Sequence, residues 1–383
     1  MMGDHLNQAL YGAKRSAIRA FSALARATPG CVSLTLGEPD FDTPLPVCSA
    51  VGAALALGET HYIDNNGAPD LRERIAAFEG ERNGMDYTAG EVIVTAGATQ
   101  ALFLALFGIL NPGDEVIVPT PAFVLYEEII KLCRGRFVPL DTTADGFQID
   151  GERLAGLVTE RTRAIILNSP NNPTGCVYDG SSLLAVRRAV EGRPIFVLCD
   201  DVYRQLVYAG EYHSFAEFQD LREQIIVVQS FSKPYAMTGW RVGYLLADAS
   251  IKERLELVHQ FMVVSTPAPF QRACIAALDQ DVAPMVEIYR RRRAYILERL
   301  ARMDLTVREP QGAFYVFPSI GEFDLSSGEF CTRMIREAGL AATPGACFGG
   351  EGHIRLTYCY SDAELKEGLD RLEVFVNKLR KES

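Results

Sequence analysis

Residues 230–243 read Ser-Phe-Ser-Lys-Pro-Tyr-Ala-Met-Thr-Gly-Trp-Arg-Val-Gly, and several of these residue types can do chemistry. A strand-like run, Ile225-Ile226-Val227-Val228, delivers Lys233 into a turn of small residues. Arg241 follows, just ahead of a second apolar run at 242–246. A lysine held away from water has a lowered pKa, and its free lone pair suits Schiff-base chemistry. Arg241 together with a hydroxyl such as that of Ser230 suits a nearby anion. Read alone, both charges also fit an ordinary solvated connection, where most charged residues lie.

Three further apolar runs end in polar turns. After 92–95 comes Ala96-Gly97-Ala98-Thr99-Gln100 and then an apolar helix. Free N–H groups and the positive dipole end of that helix make a phosphate cradle, with the Thr99 hydroxyl as a further donor. The same turn also serves as a common packing device. After 164–167 comes Asn168-Ser169-Pro170-Asn171-Asn172-Pro173-Thr174-Gly175. Asn172 can aim its amide at a ligand oxygen, or the segment is a structural turn. After 195–198 comes Cys199-Asp200-Asp201-Val202-Tyr203. A carboxylate at a buried strand end needs a partner, or its pKa rises until it is neutral. A protonated ring nitrogen is such a partner, and capping of the next helix is the other reading. Together the strand ends offer a phosphate cradle, an amine nucleophile, a carboxylate for a cationic nitrogen and donors for an oxygen. Pyridoxal phosphate presents a matching phosphate, aldehyde, pyridine nitrogen and phenolic oxygen.

These turns require a sheet to bring them together. Strand candidates at 92–94, 115–118, 164–167, 195–199, 225–228 and 242–246 alternate with helix-length segments such as 99–110, 123–133 and 181–190. That alternation predicts an α/β fold with a mostly parallel sheet covered on both faces, and sites at the carboxyl ends of its strands. Beyond about residue 280 the pattern changes. A long helix is expected at 287–303, with Arg290-Arg291-Arg292-Arg293 read as a solvated face rather than an anion-binding cluster. Short strands are expected at 305–307, 314–317 and 354–358, separated by helices, which gives a smaller α+β domain. The expected division is a large domain over 45–282 and a small domain built from 1–44 and 283–383. The first forty residues are expected to pack on the small domain and on a partner subunit.

The 383 residues include 48% hydrophobic and 23% charged side chains, enough for a substantial core. A net charge of -11 argues against nucleic-acid binding, which uses basic surface to neutralise phosphates. The nine cysteines are scattered singly, with neither Cys-x-x-Cys nor zinc-ligand spacing, so no metal is expected and a reducing compartment is. Residues 1–8 lack a signal pattern, and the longest apolar stretch, 101–110, is too short to span a bilayer. The expectation is a cytoplasmic protein with no membrane partner.

With its motifs in this order, the chain resembles the class I/II aminotransferases of the aspartate aminotransferase fold (fold type I). The resemblance runs from Leu36-Gly37-Glu38-Pro39-Asp40-Phe41-Asp42-Thr43-Pro44 to His353-Ile354-Arg355-Leu356. The stretch Gly312-Ala313-Phe314-Tyr315-Val316-Phe317-Pro318 is similar to one in bacterial N-acetyl-diaminopimelate aminotransferases. The resemblance implies a seven-stranded, mostly parallel sheet in the large domain, pyridoxal 5′-phosphate as cofactor, and a homodimer with shared active sites. It implies that Lys233 bears the cofactor and shuttles a proton. Asp200 would pair with the ring nitrogen, and Asn172 and Tyr203 with the phenolic oxygen. Ala98, Thr99, Ser230 and Arg241 would hold the phosphate, Phe123 would stack on the ring, and Tyr62 would reach the phosphate of the other subunit. Arg355 and the Gly37 backbone would bind the substrate α-carboxylate, beside Phe123 and Asn172.

Two departures stand out. Phe123 replaces the more frequent Tyr or Trp, and Asp200-Asp201 stands where Asp-Glu is common. The pyridinium role goes to the first aspartate, because Tyr203 follows it at the family's spacing. The implied reaction moves the amino group of an L-amino acid to a 2-oxo acid, 2-oxoglutarate first, by a ping-pong cycle. Aspartate, aromatic and N-acetyl-diaminopimelate-type donors all remain open. The alternatives are a β C–S lyase on the same fold and a non-catalytic regulatory relative. A Rossmann dehydrogenase is disfavoured, since no Gly-x-Gly-x-x-Gly follows an early strand.

Overall fold

The structure is a computed structural model and describes residues 5–11 and 17–382. Of the N-terminal forty residues, 1–4 and 12–16 therefore lie outside the described residues. After a short strand, β1 (Val32–Ser33), strands and helices alternate through β2 (Val92–Thr95), β3 (Glu115–Thr120), β4 (Arg136–Asp141), β5 (Thr162–Asn168), β6 (Phe196–Asp200), β7 (Ile225–Ser230) and β8 (Gly243–Ala247). The last seven form one sheet in the order β2-β8-β7-β6-β5-β3-β4. Its strands are parallel from β7 across to β4, while β8 runs antiparallel to both β2 and β7.

The apolar runs alternate between two cores, as the twofold repeat of a strand requires. Ile93, Val118, Ile166, Leu198 and Val228 share a core with the helices Ala98–Ile109 and Leu125–Leu132. Val94, Ile165, Val197 and Val227 share the other with Pro69–Asn83, Gly180–Val190 and Ala268–Leu278. Each fully buried aliphatic side chain of this kind contributes roughly 1.5–3 kcal/mol. Buried strands with both faces covered read as continuous apolar runs, which is why they stand out in the sequence. β4 escapes that reading. It is an edge strand with Pro139 inside it, and Arg136 and Asp141 are exposed.

A further core lies under β9 (Tyr315–Val316), β10 (Leu340–Ala341), β11 (Thr343–Pro344), β12 (Ile354–Thr357) and the helices Ala283–Arg302, Ser327–Ala338 and Asp362–Glu382. β12 is the middle strand of an antiparallel three-stranded sheet, and β1 pairs in parallel with β10. Two expectations need correction here. Residues 305–307 form no strand: Leu305 is buried, but the segment has no ladder partner among the described residues. The arginine run is only half solvated. Arg290 and Arg291 are exposed, whereas Arg292 and Arg293 are buried and bonded to Asp40 and to the Pro310 carbonyl. At 3.6 residues per turn, four consecutive positions cannot all face water on a helix that packs on a core.

This topology sets β5, β6 and β7 side by side, with Asn168, Asp200 and Ser230 at their carboxyl ends. β12 brings Arg355 to the same place from the smaller sheet. No helix among the described residues is long and apolar enough to cross a membrane.

Candidate active site

A cavity of about 320 Å³ opens at those carboxyl ends. Of the residues singled out in the sequence, Gly37, Ala98, Thr99, Phe123, Asn172, Asp200, Tyr203, Ser230, Lys233, Arg241 and Arg355 all line it.

Lys233 enters from the loop after β7. Its Nζ donates to the Gly37 carbonyl at 2.6 Å and lies 5.7 Å from the Phe314 ring centre. Burial brings its pKa down to about 8, with the guanidinium groups of Arg241 and Arg355 pushing the same way against Cys359 and Glu38. About a tenth of this amine is therefore free base at pH 7, far more than of a solvated lysine.

Asp200 ends β6, where its neighbours leave it little water. Its Oδ2 accepts a hydrogen bond from Tyr126 Oη at 2.6 Å, while Oδ1 is buried without a partner. Burial pushes the Asp200 pKa up to about 7, opposed by the Tyr126 bond and helped by the charge of Asp201. Asp201 is not among the cavity-lining residues. Its Oδ2 accepts from Ser214 Oγ at 2.7 Å, and burial pushes its pKa up to about 6, opposed by the Arg204 charge and the Ser214 bond. The backbone alternation at a strand end thus separates the two carboxylates, and Asp200 is the one on the cavity.

Ala98 opens the helix Ala98–Ile109, so its N–H and those that follow are free of intrahelical partners. Gly97 before it has φ 79°, and a Cβ there would overlap the Arg241 guanidinium. The glycine is required twice over, by backbone conformation and by the close approach of the cation. Arg241 itself adopts φ 54° and donates from Nη1 to the Thr238 carbonyl at 2.9 Å. Ser230 Oγ accepts from the Ser232 N–H at 3.1 Å and remains on the cavity wall. Helix N-terminus, hydroxyls and guanidinium make one anion cradle.

On the opposite wall Arg355 is 2% exposed. Nη1 donates to Asn172 Oδ1 at 2.8 Å, Nη2 donates to the Thr35 carbonyl, and Nε is buried without a partner. The guanidinium is sandwiched 4.7 Å from the Tyr315 ring centre and 4.8 Å from that of Phe348. No carboxylate among the described residues forms an ion pair with it, so the cavity presents a buried cation with donors to spare. Tyr203 and Tyr315 share a hydroxyl–hydroxyl bond of 2.7 Å, and burial raises the pKa of both phenols, that of Tyr315 to about 12. A Cβ on Gly37 would overlap the Tyr315 hydroxyl.

Tyr62 is the exception among the singled-out residues. It is 90% exposed and lines a surface groove with His61 and Pro267 instead of the cavity of its own chain. Conversely, Tyr126, Tyr315 and Asn168 belong to the site and were not anticipated. Tyr126 follows Phe123 at helical spacing and reads as a core aromatic; the short bond to Asp200 is visible only in three dimensions. Asn168 supports the same strand end, donating from Nδ2 to the Asp200 carbonyl at 3.0 Å and accepting from the Asn172 N–H at 2.9 Å.

The model of the family "Aminotransferase class I and II" matches residues 29–372. A protein of Bacillus subtilis (strain 168) named "Probable N-acetyl-LL-diaminopimelate aminotransferase" is 39% identical, over 95% of this chain and 94% of its own length. The "Aspartate aminotransferase" of Thermotoga maritima is 38% identical, over 93% of this chain and 94% of its own. Among solved structures, aspartate aminotransferase from Thermus thermophilus with maleate superposes with a TM-score of 0.92 at 37% identity, covering 97% of this chain and 99% of that one.

Proposed function

The chain belongs to the class I and II aminotransferases, and we propose that it moves the amino group of an L-amino acid to a 2-oxo acid, 2-oxoglutarate first, on pyridoxal 5′-phosphate. The observation that carries the cofactor reading is the unpartnered, buried Asp200 Oδ1 on the same cavity as the Lys233 amine. A carboxylate oxygen in that position is costly unless a protonated nitrogen meets it. The donor set fits the cofactor throughout. Ala98, Thr99, Ser230 and Arg241 suit its phosphate, Asn172 and Tyr203 its phenolic oxygen, and Phe123 the face of its ring.

When bound, the cofactor supplies an aldehyde to which amines add and a ring that withdraws electrons from the Cα–H bond being broken. The protein's own groups do the rest. Asp200 holds a proton on the ring nitrogen. Arg355, with its free Nε–H, binds the substrate α-carboxylate and fixes the orientation of Cα, and the bare Gly37 backbone leaves room for it. Lys233 Nζ accepts the proton released at Cα as general base and gives it back later in the cycle. Its pKa of about 8 suits both directions of transfer near neutral pH.

The exposed Tyr62 is assigned to the phosphate of a second copy, which makes the working unit a homodimer with shared sites. Residues 45–282 act as the large, cofactor-binding domain, and 1–44 with 283–383 as the small one. Nine free thiols, most of them buried, suit a reducing, cytoplasmic setting. The donor is aspartate, an aromatic amino acid or an N-acetylated diamino acid. A panel of these donors with 2-oxoglutarate, scored for glutamate formed, tests the reading; pyruvate and ammonia from cystathionine without any oxo acid would instead indicate a lyase.

A further inference from the structure

Arg292 lies outside the cavity, yet it is buried in a way that a solvated helix residue would not be. From the helix Ala283–Arg302 it donates Nη1 to Asp40 Oδ1 at 2.7 Å and Nη2 to Asp40 Oδ2 at 2.8 Å. Its Nε donates to Asp362 Oδ1 at 2.8 Å. The fork-on-fork geometry fixes direction as well as distance, and lysine cannot reproduce it. The Arg292 side chain is 9% exposed and that of Asp40 24%, while Asp362 at 68% is largely in water. Asp40 is therefore the partner that matters energetically.

Asp40 belongs to a segment, residues 34–44, that forms neither helix nor strand. Its start is held by backbone bonds, from the Leu34 N–H to the Ala341 carbonyl and from the Thr357 N–H to the Leu34 carbonyl; beyond that its ties are made by side chains. Toward the Lys233 loop these are Thr238 to Glu38, Thr43 Oγ1 to the Ala236 carbonyl at 2.7 Å and Trp240 Nε1 to Thr43 Oγ1 at 3.0 Å. Toward the smaller sheet they are Thr357 Oγ1 to the Leu34 carbonyl at 3.0 Å, the Leu36 N–H to Tyr360 Oη at 3.0 Å, Cys359 Sγ to the Leu36 carbonyl at 3.4 Å and the Asp40–Arg292 pair. The same segment carries the Thr35 carbonyl that receives Arg355 and the Gly37 carbonyl that receives Lys233. The strap thus touches the proposed carboxylate clamp and the proposed general base, and an ion pair pins it close to both.

We propose that Arg292 is a positioning residue for amino transfer: by pinning Asp40 it sets the lie of the 34–44 strap, and through it the berth between Gly37 and Arg355 for the substrate carboxylate. The inference rests on the proposed roles of Gly37 and Arg355. Arg292 touches neither substrate nor cofactor. The phosphate cradle is built on the large sheet, away from Arg292, so cofactor affinity should change less than KM.

The test compares Arg292→Lys, Asp40→Asn and Asp362→Asn holoenzymes with the unaltered one, using the best donor of the panel and 2-oxoglutarate. Expected for the first two is a KM about tenfold higher, the signature of weakened binding at the carboxylate berth that is felt equally before and during the chemical step, with kcat and pyridoxal-phosphate affinity little changed. Combining them should add little, because both remove one pair. Asp362→Asn should leave KM as it was. An unchanged KM in folded Arg292→Lys overturns the proposal, as does an equal rise in Asp362→Asn, which would mean that Arg292 acts through helix packing alone. Should Arg292→Lys fail to fold, Asp40→Asn decides, since its side chain lies on an irregular segment. Failure of the underlying reading looks different: the unaltered enzyme would transfer no amino group, or Arg355 variants would keep a normal KM.

Discussion

Tyr126 donates its hydroxyl to Asp200 Oδ2 at 2.6 Å, which leaves Oδ1 as the oxygen of that carboxylate with no partner. The bond fixes the rotation of the carboxylate, so the free oxygen has one place to point. It also offsets part of the burial that pushes the Asp200 pKa up to about 7.

Tyr126→Phe removes that offset. The Asp200 pKa of the apoenzyme should rise further, and kcat of the loaded enzyme should fall by roughly tenfold or less. The pH dependence of the apoenzyme Tm reads the first and steady-state kinetics the second; no change in either would leave Tyr126 without a role at Asp200.

Asp200→Asn gives a stability signature in the apoenzyme. The folded-state pKa of Asp200, about 7, lies above the ordinary 3.8, so folding binds a proton between those values. Stability present below the lower value is lost as pH rises toward the upper one. Asn behaves as the neutral form at every pH. The variant should therefore match the unaltered apoenzyme in Tm near pH 4 and exceed it increasingly up to about pH 7, while losing turnover. Equal Tm values at pH 4 and pH 7 would contradict the assigned burial.

Lys233 should govern cofactor loading. The amine adds to an aldehyde as the free base, and its pKa stands at about 8 rather than 10.5. The rate of reconstitution of apoenzyme with pyridoxal phosphate should rise with pH up to about 8 and level off above it. A rise that continues beyond pH 10 would mean that the reacting lysine is a solvated one.

Arg355→Ala should lower kcat/KM by about 3 kcal/mol, near a hundredfold, for loss of charged hydrogen bonds to a desolvated carboxylate. Arg355→Lys keeps the charge but not the fork, and should recover only part of the loss. Steady-state kinetics with the preferred donor decide. Full recovery by lysine would show that charge alone suffices.

Gly97→Ala places a Cβ against the Arg241 guanidinium at a positive φ. Pyridoxal-phosphate affinity should fall by about tenfold or more, through strain and displacement of the phosphate ligand. Equilibrium dialysis measures it; unaltered affinity would separate Arg241 from the phosphate.

Much of this was legible in the sequence, for a physical reason. Strands buried on both faces are apolar along most of their length, as at 225–228 in the strand Ile225–Ser230, so the polar residues at their ends stand out. Lys233, Asp200 and Asn172 are conspicuous because each falls in a polar turn directly after such an apolar run. Arg355 is not conspicuous, since one arginine in a short strand carries no pattern, and the family resemblance alone pointed to it. The edge strand Arg136–Asp141 was lost to its Pro139 and to exposure at both ends. Tyr126 and Arg292 were lost for a common reason. Each sits on a helix at a spacing that fits a bland role, and each is defined by a partner far away in the chain, Asp200 and Asp40.

The central claim is that Lys233 carries the cofactor in this cavity. Reducing the cofactor-loaded enzyme with borohydride and mapping the fixed pyridoxyl group by peptide mass spectrometry tests it most directly. The added mass should appear on the peptide containing Lys233 and on no other. Its appearance on a different lysine, or its absence from a fully active enzyme, would contradict the account.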